Sequence, residues 1–202
     1  MIYKKGKLNI DGFNVNFLAK KFNTPIYCYS FKKIKENILY FKNEFKKINP
    51  LICFAVKANT NVHILREIKN LDLGADVVSV GELMKAIKAG IKPKKIVFSG
   101  VGKTSIEIEY AINKKILLIN AESKSEILEI EKIAKKKNKV VNIGIRLNPN
   151  TDAKTISQIS TGKKENKFGL DEKIFLKLVN YLKNSKNLNL KCLSVHIGSQ
   201  IL

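Results

Sequence analysis

Short apolar runs recur along the chain, each followed by a stretch of helical periodicity, and no other feature restricts the fold as much. The runs are LICFAV at 51–56, ADVVSV at 75–80, KIVFSG at 95–100, ILLINA at 116–121, VVNIGIRL at 140–147 and KCLSVHIG at 191–198. Between them lie segments such as VHILREIKNL, GELMKAIKAG and EILEIEKIAKKK, whose apolar residues return every three or four positions. Strands that alternate with helices predict a parallel sheet. The junctions agree. Ser79–Glu82, Thr104–Glu107 and Ser123–Glu126 each fit S/T-x-x-E, a capping box for the helix that follows, and Gly90 with Pro93 marks a helix exit. Uniform βα units build either a (β/α)8 barrel or an open doubly wound sheet. No G-x-G-x-x-G follows the first strand, which weighs against the dinucleotide-binding form. Six strands are legible where a barrel needs eight, so the expectation is an incomplete barrel, its last strands beyond Leu202, or an open sheet.

Two regions stand outside the repeat. Residues 1–30 contain TPIYCYS, a short β-like segment with Pro25 near its start, and a helix, FKKIKENILYFKNEF, follows. The front segment, 1–30, reads as part of a second domain, and 31–202 as the partial barrel. Between 148 and 170 lies a polar loop too long for a simple βα turn, the kind of loop in which binding residues concentrate.

The net charge of +21 raises the question of nucleic acid. Only Arg66 and Arg146 are arginine, and the lysines are spread over many helices in a chain rich in Ile and Asn, so base composition of the gene accounts for the excess and no nucleic-acid partner is expected. Cys28, Cys53 and Cys192 are odd in number, far apart and set in apolar runs, which predicts small core residues in place of a disulfide framework or a metal site. No run approaches the roughly 18 apolar residues of a membrane span, and the N-terminus lacks an apolar signal core, so the chain reads as cytoplasmic.

Candidate chemistry lies at the strand ends. Lys57, in FAVKAN, closes the first strand, and the C-terminal end of a barrel strand is the active-site face. Partly desolvated there, its amine could be neutral and form a Schiff base; a rim lysine with its ammonium in solvent is the alternative. His196, in VHIGSQ, closes the sixth strand, where a flat imidazole could stack on a planar cofactor, and Gly198 and Ser199 after it could hold a phosphate. A hydrogen-bonded core histidine before a turn is the competing reading. His63 falls on helical spacing after a cap and reads as surface. Asp76 inside the second strand and Arg146 near the end of the fifth are charges that burial would penalise unless paired, and a mutual Asp76–Arg146 ion pair would satisfy both.

Taken in order, FAVKAN, GADVVSVGEL, FSGVGKT, INAES, IRLNPNTDAKT, ISTGKKENKFG and VHIGSQ resemble the diaminopimelate decarboxylase family, pyridoxal 5'-phosphate enzymes with an alanine-racemase-like barrel. The likeness runs from about Thr24 to the last residue. AVKAN and HIGSQ are shared in variant form with ornithine and arginine decarboxylases, whereas the NPNTDAKT and ISTGKKENKFG segments are more specific. The resemblance implies Lys57 as the covalent anchor of pyridoxal phosphate, His196 as the residue stacked on its ring and Ser199 near its phosphate. It places Asp76 and Arg146 near the cofactor. The implied reaction removes the carboxylate at the D-centre of a small amino-acid substrate, meso-2,6-diaminopimelate, giving L-lysine and carbon dioxide, in a homodimer.

The resemblance also has gaps. The family continues through the last barrel strands, a glycine-rich phosphate loop, an acid on the pyridine nitrogen and a β-domain. The expectation is therefore an N-terminal half, inactive by itself and poorly soluble because two sheet edges are bare. Ile156-Ser157-Gln158 stands where a histidine-containing segment is expected, and Val80 where glycine is. The alternatives are a decarboxylase of the ornithine or arginine type and a non-catalytic pyridoxal-phosphate-binding barrel.

Overall fold

The computed structural model describes residues 1–152, 161 and 168–199. Its main body is a six-stranded parallel sheet in strictly sequential order, β4 (Cys53–Ala55), β5 (Gly74–Val77), β6 (Ile96–Phe98), β7 (Leu118–Ala121), β8 (Val141–Leu147) and β9 (Leu188–Val195). The crossovers carry α3 (Val62–Asn70), α4 (Val80–Lys88), α5 (Ser105–Lys114), α6 (Lys124–Lys136) and α7 (Glu172–Lys183). This is an incomplete barrel of six parallel strands, one of the two arrangements that the alternation of runs allows, and the alanine-racemase type is what the family resemblance implies.

Side chains alternate across a strand, and this assigns the two faces. Ala75, Val77, Ile96, Phe98, Ile143 and Ile145 are fully buried, and Leu65, Ile68, Leu83, Ile108, Ile127 and Ile130 from the helices share their cluster. The alternate positions look inward. Ala55, Asp76 and Val97 lie in one register row, and Asn120 pairs with Gly144 in another. The inner face is therefore small and polar where the outer face is aliphatic. Between Ile143 and Gly144 the β8–β9 register slips by one residue, so Gly144 faces Cys192 and Arg146 faces Ser194.

Helix starts follow the predicted chemistry with one refinement. Thr104 and Glu107 form the reciprocal capping box. Ser79 and Ser123 cap as expected, accepting from the amides of Glu82 and Glu126, but those two carboxylates reach one residue further back, to the amides of Val78 and Glu122. The cap of α3 is Asn61, and the Asn59 side chain accepts from the Asn61 amide.

The front segment differs from expectation. Its strands are β1 (Ile2–Lys4), β2 (Lys7–Ile10) and β3 (Phe13–Asn14), an antiparallel meander joined to α1 (Val15–Phe22). TPIYCYS is not a strand: it lies between α1 and α2 (Phe31–Glu44) outside both sheets, with Tyr27 90% exposed. Nor are the cysteines core residues, since Cys28 is exposed and Cys53 and Cys192 are half-buried. Among the described residues no helix is long and apolar enough to cross a membrane.

Candidate active site

The C-terminal ends of the parallel strands surround a cavity of about 840 Å³. Strand β4 and the turn after it supply Cys53 and Lys57, β5 supplies Asp76, the end of β6 supplies Ser99 and Gly100, β7 supplies Asn120, β8 supplies Arg146, and β9 leads to Ser194 and His196. Four of the five sequence-predicted residues, Lys57, Asp76, Arg146 and His196, line this one space. Ser199 does not; it is exposed, just past the strand that carries His196. Most of the long polar loop, including 156–158 and the ISTGKKENKFG segment apart from Thr161 and the final Phe-Gly, lies outside the described residues.

Lys57 sits in a single 3-10 turn, Val56–Ala58, immediately after β4. Val56 is fully buried and anchors the turn, whereas Lys57 is exposed and lines the cavity. Asp76 is half-buried and accepts a hydrogen bond from the Ser99 hydroxyl at 2.6 Å. Burial raises its pKa above the ordinary carboxylate value, and the Ser99 hydrogen bond and the charges of Lys57 and His196 offset that only in part. Burial also pushes the Cys53 thiol up to about 11, with the Asp76 charge adding to the effect, so this cysteine is a weak nucleophile.

His196 keeps an exposed surface, yet partial burial, then the cations of Arg146 and Lys57, hold its pKa below the ordinary imidazole value. The ring is therefore neutral at neutral pH. Thr161 fixes its tautomer. That hydroxyl lies 2.8 Å from the His196 carbonyl oxygen and 2.9 Å from Nδ1. Its single hydrogen is donated to the carbonyl, so it accepts from Nδ1–H and leaves Nε2 as the bare nitrogen.

The predicted Asp76–Arg146 pair does not form. Arg146 donates through Nη1 to the Glu122 carboxylate at 2.9 Å and through Nη2 to the His196 carbonyl at 3.2 Å, and its guanidinium lies 4.9 Å from the Phe168 ring centroid. The register explains the choice. Ala121 pairs with Ile145 across β7 and β8, so the next residue on each strand, Glu122 and Arg146, are neighbours, whereas Asp76 is three strands away from β8. Glu122 also accepts from the Gly100 amide at 2.9 Å. Behind it a second buried pair joins Lys103 to Glu126 at 2.7 Å, with side chains 1% and 9% exposed.

Glu122, Lys103, Ser99, Asn120 and Ser194 were not singled out in the sequence. A signal was present for Glu122, an acid directly after the all-buried strand LINA. For Asn120 and Ser194 none was: they meet at 3.0 Å only because Gly144 leaves room between them, and a Cβ there would stand 2.7 Å from the Asn120 side-chain oxygen.

Residues 31–202 match the family described as pyridoxal-dependent decarboxylase, pyridoxal binding domain. The diaminopimelate decarboxylase of Helicobacter pylori strain J99 is 50% identical over 190 residues, covering 94% of this chain and 47% of that protein. The crystal structure of the H. pylori diaminopimelate decarboxylase complexed with L-lysine superposes with a TM-score of 0.92 at 49% identity, over 94% of this chain and 48% of that one. The diaminopimelate decarboxylase of M. jannaschii in complex with L-lysine gives 0.90 at 40% identity, over 98% and 47%. The chain thus spans about half the length of the curated relatives it matches.

Proposed function

The chain belongs to the pyridoxal-dependent decarboxylases, in the family of their pyridoxal-binding domain, and from that premise we propose that the whole protein decarboxylates meso-2,6-diaminopimelate to L-lysine and carbon dioxide with pyridoxal phosphate as cofactor. The observation that carries this reading is 50% identity, across 94% of the chain, to a diaminopimelate decarboxylase, joined to the convergence of Lys57, Asp76 and His196 on one cavity.

The donor set suits an aldehyde-bearing pyridine. The cavity offers one lysine amine, a neutral imidazole face and a half-buried carboxyl, within a volume typical of small-molecule sites. When bound, the protonated pyridine ring supplies an electron sink for the pair left on the α-carbon as carbon dioxide departs. Lys57, exposed and lining the cavity, is the side chain that would hold the cofactor through its aldehyde. His196, locked by Thr161 through Nδ1, presents a ring of fixed orientation to the pyridine. Asp76 supplies a carboxyl that can hold or release a proton beside the Lys57 amine. Arg146, paired with Glu122, donates to the His196 carbonyl and so fixes the backbone there. Ser199 is assigned to the phosphate end on the strength of the VHIGSQ resemblance.

The same reading makes residues 1–30 a segment joined to a further β-domain, the protein a cytoplasmic homodimer and the substrate a free amino acid; its support is the motif resemblance. Two assays test it. The full gene product reconstituted with pyridoxal phosphate should show the visible absorption band of covalently held cofactor, and Lys57→Ala should lose it. Carbon dioxide should be released from meso-diaminopimelate. A band that survives in Lys57→Ala refutes the anchor, and turnover of ornithine or arginine in place of meso-diaminopimelate moves the protein to the polyamine branch.

A further inference from the structure

The ladder between β8 and β9 ends at Leu147 and Val195, one residue short of His196, so strand pairing stops just before the ring that closes the cavity. Side chains take over from there. Among the described residues the His196 carbonyl has two donors, Arg146 Nη2 at 3.2 Å and the Thr161 hydroxyl at 2.8 Å, and that hydroxyl also lies 2.9 Å from Nδ1. The ring is thus referenced to its own carbonyl, and the carbonyl to the guanidinium. Glu122 holds the guanidinium in turn. One of its carboxylate oxygens accepts from Arg146 Nη1 at 2.9 Å, the other from the Gly100 amide at 2.9 Å, and the side chain is 1% exposed. Its backbone amide donates to Glu126 at 2.9 Å, and Glu126 is held by Lys103. Both oxygens and the backbone are engaged away from water, so this carboxylate is a fixed point.

We propose that Glu122 is a positioning residue for His196: from the end of β7 it aims Arg146 so that Nη2 meets the His196 carbonyl, and through Thr161 that carbonyl sets the imidazole. A guanidinium suits the task because its fork is planar and rigid, so one nitrogen fixed on a carboxylate determines where the other points. Without Glu122 the arginine would keep its charge and its reach but lose its aim, since a side chain of that length has many rotamers to occupy. Strand β7 does not pair with β9, so the relay lets one strand end govern another across the strand between them.

What the ring is positioned for rests on the proposed function; the relay to the carbonyl does not, and its test needs neither cofactor nor substrate. In the full chain labelled with 13C-carbonyl histidine, the His196 signal is assigned by its loss in His196→Gln. Arg146→Met removes one of its donors and should shift it. Glu122→Met should shift it in the same direction, and Glu122→Met added to Arg146→Met should shift it no further, because the two act through one contact. Glu131→Met is the control: that carboxylate is 6% exposed and accepts from Tyr181 and Ser185, but it ties α6 to α7, and its loss should leave the signal in place. A signal unmoved by Glu122→Met, an equal shift in Glu131→Met, or a further shift in the double variant would overturn the proposal. If Glu122→Met does not fold, Glu122→Gln decides: one acceptor oxygen is left for two donors, the signal should shift partway, and no shift refutes the claim. With pyridoxal phosphate bound, Glu122→Met should weaken the induced circular dichroism of the cofactor band and keep the band itself, which reports Lys57. Dichroism unchanged where the carbonyl signal has shifted would overturn the step from carbonyl to ring. A full-length protein that forms no band would refute the proposed function and leave the carbonyl measurement as it stands, so the two readings fail separately.

Discussion

Replacing Lys103 by methionine removes an ammonium whose hydrogen bonds all run to groups shielded from water. Its Nζ donates to the Asn120 carbonyl at 2.9 Å, to the Gly100 carbonyl and to the Glu126 carboxylate at 2.7 Å, and it stands 5.5 Å from the centroid of Phe98. Methionine fills the stem volume but donates nothing. The Glu126 carboxylate keeps its contact with the Glu122 amide and loses its cation, and a charge left uncompensated in the interior costs about 3 to 5 kcal/mol. Against a global stability of roughly 5 to 15 kcal/mol that is a large fraction. With a urea m value of roughly 2 kcal/mol/M the unfolding midpoint should fall by about 2 M. The exposed pair Lys33–Glu36, 3.9 Å apart with side chains 63% and 52% exposed, is the control, and Lys33→Met should cost less than about 1 kcal/mol. Adding Glu126→Gln to Lys103→Met should restore much of the loss, since the stranded charge goes with it. Equilibrium unfolding followed by circular dichroism measures all four proteins. A Lys103→Met midpoint no lower than that of Lys33→Met would refute the argument that burial makes this pair decisive.

Asp76 links stability to pH. Its pKa is raised in the fold by burial, so its proton stabilises the native state fully below the unfolded carboxyl value, about 3.9, and that contribution is lost as pH rises through the folded value. Asp76→Asn should therefore gain on the unsubstituted protein from acid toward neutral pH, and stability curves that run parallel would contradict the sign. Gly74→Ala should lower the melting temperature, because a Cβ there would collide with the Lys95 backbone carbonyl as well as the Cys53 sulfur 2.7 Å away. Cys53→Ala should not rescue it, since the carbonyl remains; full rescue would place the strain on the sulfur alone.

The sheet was legible because each strand is a solid apolar run and each crossover helix shows its own period and cap. Lys57 and His196 were legible for the same reason: position at a strand end is a property of the run itself. The Arg146 partner was not. Opposite charges at Asp76 and Arg146 suggested a pair, but the choice between Asp76 and Glu122 depends on which strands are neighbours, and Glu122 follows the strand that adjoins β8. The early strands were missed because three short, mostly exposed segments carry little apolar patterning, as in the wholly exposed β1. TPIYCYS misled in the opposite direction, since aromatic and β-branched composition gives strand propensity without a strand to pair with. The meeting of Asn120 and Ser194 depends on the slip at Gly144, a local irregularity that no periodicity announces.

The sequential strand order has a consequence for timing. Lys57, Asp76, Ser99, Asn120, Arg146 and His196 come from six successive units, one from each, and every unit docks on the one made just before it. No early portion of the chain holds a usable subset of the cavity: the lysine is laid down first and the histidine last, with the whole arch between them. The meeting of these six residues and the docking of the sixth unit are thus one event, and a chain stalled after any earlier unit would lack at least the histidine.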